Sequence, residues 1–245
     1  MIEKNKQKIL LYDIETSYTV GAVWGLYDQN VAGVIREPYM ISFSWKWLGD
    51  SKTHVLALPD FKLYDEDKHD DSMLVASLHE LFDKADVIIA HNGNAFDQKW
   101  AYGRFLVNGM MPPSPAKYID TKLIAKSKFR FNSNSLKHLA IYMGCKNKMD
   151  TGGIDLWIDC IENDDPKAWH KMKLYNKQDV VVLEEIYLKM LPYITNHPSH
   201  GEGCNNCESD NLQKRGFALL KGDYKAQRYQ CQDCGAWLQG KKEKV

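Results

Sequence analysis

Apolar and polar positions follow two rhythms along the first 190 or so residues. Residues 9–15 (ILLYDIE) are a nearly continuous apolar run closed by acids, as expected of a buried central strand. Residues 40–47 (MISFSWKW) alternate with period two and are rich in aromatic side chains, and 54–58 read as a third strand. The period then changes: Leu74, Leu78, Leu81 and Phe82 predict a helix over 73–84. Residues 87–91 (VIIAH) return to a short buried strand, and a Gly/Asn loop leads into a helix over 97–108. A short strand at 117–120 and a helix at 135–143 follow. Asp165 suits a helix N-cap, Pro166 a first helical position and Pro192 the far end. Between them Trp169, Met172, Val180, Leu183, Ile186 and Met190 trace one long helix. Strands first, then strand–helix alternation, then a long helix predict an α/β domain.

The composition narrows the class. The 245 residues carry 32 basic and 32 acidic side chains and are 44% hydrophobic, which excludes collagen-like, largely disordered and disulfide-scaffold chains. The length predicts one sizeable domain plus a small appendage, or two small domains. The expected division is 1–191, a linker at 192–203 rich in Pro, His, Asn, Ser and Gly, and a small unit at 204–245. No apolar run approaches the ~18–20 residues that span a bilayer, and the start MIEKNKQK lacks a signal peptide's apolar core. A cytoplasmic location is expected. Zero net charge argues against binding nucleic acid through bulk positive charge, but not against gripping phosphates locally through metals.

The candidate chemistry lies in the acids. Asp13 and Glu15 are two apart on a strand and so share one face of the sheet. Two same-facing carboxylates at the end of a buried strand repel and are costly to desolvate, so they either reach solvent or hold a divalent cation. Asp97 follows a strand-to-helix loop, where open α/β sheets gather ligand sites; alone it also suits an N-cap. Tyr175 and Asp179 are four apart in the long helix and share a face. Asp179 precedes Val180, Val181, Val182 and Leu183, which sets an acid against a buried surface.

Three motifs occur in order: DxE (Asp13, Glu15), NxxxFD (Asn92 to Asp97) and YxxxD (Tyr175 to Asp179). Residues 8–191 thereby resemble the DEDDy 3′–5′ exonucleases of the DnaQ-like, ribonuclease-H-like superfamily. The likeness is to small stand-alone phage members and to YprB-type domains, the latter through YNKQDVVVLEEIY. The resemblance implies a mixed central sheet flanked by helices and two Mg²⁺ or Mn²⁺ ions. Asp13 would bridge the ions, Glu15 and Asp179 would complete the first site, and Asp97 would serve the second. Tyr175 would orient the attacking water, and nucleoside 5′-monophosphates would leave from a 3′ end. Asn92 and Phe96 are candidates for contacting the terminal nucleotide, with core packing as the other role for Phe96; Thr16 is a further substrate-binding candidate. Residues 19–37 form a long insertion with Trp24 and Tyr27, expected to be either a cover for the site that wedges against the terminal base or a plain surface loop. Asp120 is expected to cap a helix, with a place as a fifth acid near the site as its other role, and His91 to pack, with a pocket position as its other role.

Cys204, Cys207, Cys231 and Cys234 form two CxxC pairs, a pattern that favours a structural Zn²⁺ ribbon over disulfides in a reducing compartment. A unit of this size buries little core, so the metal must supply folding free energy. Lys214, Arg215, Arg228 and Tyr229 lie among interleaved cations and aromatics, a pattern suited to single-stranded nucleic acid; the aromatics also serve as the unit's own core. The expected partner is nucleic acid, single-stranded DNA ahead of RNA, with replication or repair proteins acting in trans. Two other readings stay open: a structure-selective endonuclease or resolvase on the same scaffold, and a non-catalytic nucleic-acid-binding module. The Tyr175–Asp179 helix counts against the first, and four intact carboxylates count against the second.

Overall fold

The computed structural model describes residues 7–27, 29–145, 152–198 and 203–245. Residues 199–202 of the expected linker lie outside them. The chain begins with β1 (Ile9–Thr16), then a small hairpin of β2 (Val20–Ala22) and β3 (Gly33–Arg36), then β4 (Met40–Trp47) and β5 (His54–Ala57). Next come α1 (Leu63–Glu66), α2 (Ser72–Lys84), β6 (Val87–Ala90), α3 (Asp97–Val107), β7 (Lys117–Asp120) and α4 (Thr121–Lys128). The helices α5 (Leu136–Tyr142), α6 (Asp155–Ile161) and α7 (Pro166–Met190) complete this part. Three strands follow: β8 (Leu212–Leu220), β9 (Tyr224–Cys231) and β10 (Trp237–Lys244).

The main sheet has the order β5-β4-β1-β6-β7. β1 pairs antiparallel with β4 and parallel with β6, so the sheet is mixed. Strand alternation sorts β1 between two layers. Leu10, Tyr12 and Ile14 pack with Leu74, Leu78 and Phe82 of α2 and with Ala101 and Phe105 of α3. Leu11 packs instead with Val180, Leu183 and Tyr187 of α7. Asp13 and Glu15 share Leu11's parity, so both are aimed at the α7 side.

α7 runs unbroken for 25 residues because Asp165 caps its start, accepting from the Lys167 amide at 2.9 Å, and Pro166 occupies its first turn. Its sheet-facing stripe is apolar near the C-terminus and polar over Asn176 and Asp179, both buried. β4 answers with a polar row of the same parity. Ser42 donates to the Asn176 side-chain oxygen at 2.8 Å, Ser44 to the Asn176 carbonyl at 2.7 Å, and Lys46 to Glu184 at 2.6 Å. Buried polar groups are tolerated here because each has a partner.

Outside the cysteine unit, whose three strands the sequence pattern does not mark, α1, α4, α6 and the β2–β3 hairpin within the 19–37 insertion have no counterpart in that pattern. The three helices have only 4, 8 and 7 residues, too short for a clear period. Among the described residues, no helix is long and apolar enough to cross a membrane.

Candidate metal centre and cysteine cluster

Carboxylate oxygens of Asp13, Glu15 and Asp179 all lie within 4.8 Å of one another. The strand supplies two by its period of two, and the crossing helix supplies the third. Opposite Glu15 and Asp13 in the register stand Ser42 and Ser44, the residues that hold Asn176. Asn176 closes the arrangement: its side-chain amide donates to Asp13 Oδ2 at 2.7 Å and to the Asp13 carbonyl at 3.3 Å. Fully buried, Asn176 therefore sets the orientation of Asp13. It lies inside the YxxxD motif, and its one local mark is that a polar residue falls on the buried stripe three before Asp179.

Asp97 stands outside that group of three. Its Oδ1 accepts from the backbone N–H of Ile14 at 3.2 Å, the residue between Asp13 and Glu15, so it reaches the same stretch of β1. It is 3% exposed. Burial raises its pKa to about 7 against a usual 3.8, with the charges of Asp120 and Asp179 adding to the rise and the amides of Ile14 and Asp97 opposing it.

The sign of this shift has a consequence for stability. The folded carboxyl keeps its proton up to about pH 7 and the unfolded one only to about 3.8, so folding without metal weakens as pH climbs between those values. Asp97→Asn is expected to raise the thermal stability of the metal-free protein at about pH 8 by on the order of 4 kcal/mol, the difference vanishing near pH 4. Thermal melts of both proteins across this range, in the absence of divalent ions, check it. A constant difference at every pH would assign the effect to packing.

Tyr175 lies one turn before Asp179 and hydrogen-bonds to its carboxylate. Burial, then the charges of Glu15, Asp179 and Asp13, drive the phenol pKa well above its ordinary value. The hydroxyl therefore stays protonated. Trp157 of α6 packs edge-on against Tyr175 and donates to the Thr16 carbonyl at 3.1 Å, where the β1–β4 register shifts. Thr16 thus joins the rim through its backbone.

The loop after β6 is shaped by Asp120, which accepts from the amides of Asn92 (2.9 Å) and Asn94 (3.2 Å) while capping α4 through Lys122 and Leu123. Asn92 takes the left-handed conformation (φ 71°), which Asn adopts more readily than most residues. Gly93 presses so close to Ala90 that an added Cβ would sit 2.6 Å from the alanine's own. This loop leaves Phe96 40% exposed, with its ring near Trp100. His91 is tied to Thr121 and to the Asn134 carbonyl, each at 2.9 Å.

Far along α7, sulfur atoms of Cys204, Cys207, Cys231 and Cys234 also fall within 4.8 Å of one another. The Cys204–Cys234 and Cys207–Cys231 separations are 3.5 and 3.6 Å. A disulfide needs about 2.05 Å. Thiolates placed tetrahedrally about 2.3 Å from a central zinc stand ~3.8 Å apart, so the cage fits that ion. Burial works against ionisation across the cage, raising the Cys207 thiol and pushing Cys234 up to about 11, whereas at Cys231 the amides of Cys234 and Asp233 outweigh burial and bring the thiol down to about 7.

The cage is docked against the C-terminal end of α7 and the turn that follows it, where Cys207 and Cys234 pack with Tyr187, Leu191 and Ile194. Asn206 donates to the carbonyls of Leu191 and, at 2.9 Å, Ile194, while the Tyr187 hydroxyl meets His197 at 2.7 Å. On the β8-β9-β10 sheet Lys214 lies opposite Tyr229. Arg228, one residue before Tyr229, points to the other face. Arg215 sits at the β8 register shift.

A family model described as the RNase_H superfamily (RNase_H_2) matches residues 34–191, more than half of the chain. The chain belongs to the ribonuclease H superfamily. Within this ribonuclease-H-like chain the match takes in Asp97, Tyr175 and Asp179, while Asp13 and Glu15 lie before it. Among solved structures, the chain is similar to the family B DNA polymerase from the hyperthermophilic archaeon Pyrobaculum calidifontis, at 16% identity and a TM-score of 0.58. That likeness covers 77% of this chain and 25% of the polymerase chain, and it is one of fold. No curated protein matches.

Proposed function

We propose that the protein is a metal-dependent 3′–5′ exonuclease of the DEDDy type, acting on single-stranded DNA or, as the other candidate, RNA, and releasing nucleoside 5′-monophosphates. The observation that carries this reading is the convergence of Asp13, Glu15 and Asp179 within 4.8 Å, with Asp97 bonded to the amide between the first two. An all-carboxylate donor set suits hard cations such as Mg²⁺ or Mn²⁺. Asp13, Glu15 and Asp179 would hold one ion, and Asp97 would serve a second. When bound, such a pair stabilises the attacking and leaving oxygens of an in-line displacement at phosphorus.

The chain's own residues do the rest. Asn176 and the two serines beneath it hold Asp13 in one orientation. The protonated Tyr175 hydroxyl positions the attacking water. Phe96 offers an exposed ring for the terminal base. The β2–β3 hairpin springs from the end of β1 and exposes Trp24, Leu26 and Tyr27 (93%, 89% and 83%), which suits a wedge beside that base. A fold shared with part of a DNA polymerase supports a nucleic-acid substrate. In this reading the four cysteines hold one Zn²⁺, and the ribbon's Lys214–Tyr229 face contacts the strand upstream.

End-labelled DNA and RNA strands with Mg²⁺ test the proposal. Mononucleotides released first from a 3′ label support it; short internal fragments would replace it with the endonuclease reading. Activity should vanish on chelation and return with Mg²⁺ or Mn²⁺. Tyr175→Phe should lower kcat about 10- to 100-fold with KM nearly unchanged, because the hydroxyl acts on the water and not on the strand. A rise in KM alone would move Tyr175 to substrate binding.

A further inference from the structure

A groove of about 730 Å³ runs along the edge strand β7, between α4 and the segment that leads to the cysteine cage. Asn94 and Asp120 line its catalytic end, Lys117, Lys126 and Lys128 its flanks, and Ile194, Asn196 and Pro198 the side toward the cage. Although the whole chain is neutral, residues 117–130 (KYIDTKLIAKSKFR) hold five basic residues and one acid. That acid, Asp120, is engaged by four backbone amides. On α4 Lys122 and Lys126 are one turn apart, about 6 Å along the axis, and so share a face. Lys122 Nζ lies 3.1 Å from the Asn92 side-chain oxygen, which joins this row to the catalytic loop. At the other end Lys128 Nζ lies 3.2 Å from Thr195 Oγ1.

Resting on the nuclease reading, we infer that this groove is the path of the substrate strand, its lysines meeting successive phosphates between the carboxylate site and the cysteine unit. Exposed ammonium groups in a row select a polyanion, and the half-exposed Leu123 gives the sugars an apolar wall. The groove connects at one end to the loop that carries Asn94 and at the other to the docked tail, so one bound strand spans both. The charge is concentrated where a strand passes and absent from the molecule as a whole, so contact here depends on registry with the strand.

The test compares the full-length K117Q/K126Q/K128Q variant with the wild type and with a control, K52Q/K62Q/K167Q, whose lysines are exposed elsewhere. Binding to a labelled oligothymidylate is followed by fluorescence anisotropy against salt, in an Asp13→Asn background so that the strand survives. The slope of log affinity on log salt should become shallower by about two for the groove variant, since each phosphate contact on a single strand contributes ~0.7. It should hold for the control. With Asp13 intact, turnover of a dinucleotide should be unchanged while KM for a long strand rises on the order of tenfold. The Lys→Arg version of the groove variant should restore both. Equal slopes for groove variant and wild type, or an equal loss in the control, would overturn the path. If the wild type hydrolyses neither substrate, the nuclease reading fails, and the anisotropy slopes still decide the groove.

Discussion

Asp13→Asn or Asp179→Asn should reduce hydrolysis by about 10³-fold or more while the fold persists, since losing even one preorganised stabilising group costs 10²–10³ in rate. Each substitution keeps the side chain's size and removes one negative charge from a set packed within 4.8 Å. For Asp13→Asn the new amide can still present an oxygen to Asn176, now held at 2.7 Å, so the link between β1 and α7 survives. Loss of activity thus separates from loss of structure. Rate measurements at saturating Mg²⁺ or Mn²⁺, with circular dichroism of the same preparations, decide the matter. Undiminished turnover in either variant would remove the carboxylate centre from the mechanism. Unfolding in both would mean that the charges are structural.

Removing the metal proposed for the cage should have the second-largest effect, confined to one part of the molecule. The described residues of the C-terminal unit bury little apolar surface besides Cys204, Cys231, Ala226 and Ala236. Zinc held by four thiolates supplies an apparent 10–16 kcal/mol at neutral pH, more than a sheet of this size gains by burial. On the proposed reading of one Zn²⁺ per chain, Cys204→Ser with Cys231→Ser should abolish zinc binding and melt β8, β9 and β10. The α/β part should stay folded, because its core lies in the main sheet and α7. Elemental analysis and amide hydrogen exchange resolved by peptide read both outcomes. Full protection of β9 in the variant, or a mass showing disulfides in the wild type, would refute the metal cage.

Much of this was legible from periodicity. The β1 alternation that places Leu11, Asp13 and Glu15 on one face is a local property of any strand, and the caps on α7 are written in Asp165 and Pro166. Asp120 as a helix cap was readable in the same way. Its second task, holding Asn92 and Asn94, depends on β6 and β7 lying side by side. Asn176 escaped because its importance comes from serines on β4, more than 130 residues earlier. The lysine groove escaped for a like reason: neither α4 nor its wall at 194–198 suggests a channel until α7 brings the tail back beside β7.

What the sequence alone determined is which residues share a face and which chemistry they carry, because backbone period and side-chain type are local. Tertiary structure decided which faces meet. Only the crossing of α7 over β1 and β4 brings the Asp179 carboxylate to Asp13 and Glu15, buries Asn176 against Asp13, and carries the four cysteines to the far end of the same helix. Those distances depend on packing between segments far apart in the chain, and no local spacing encodes them.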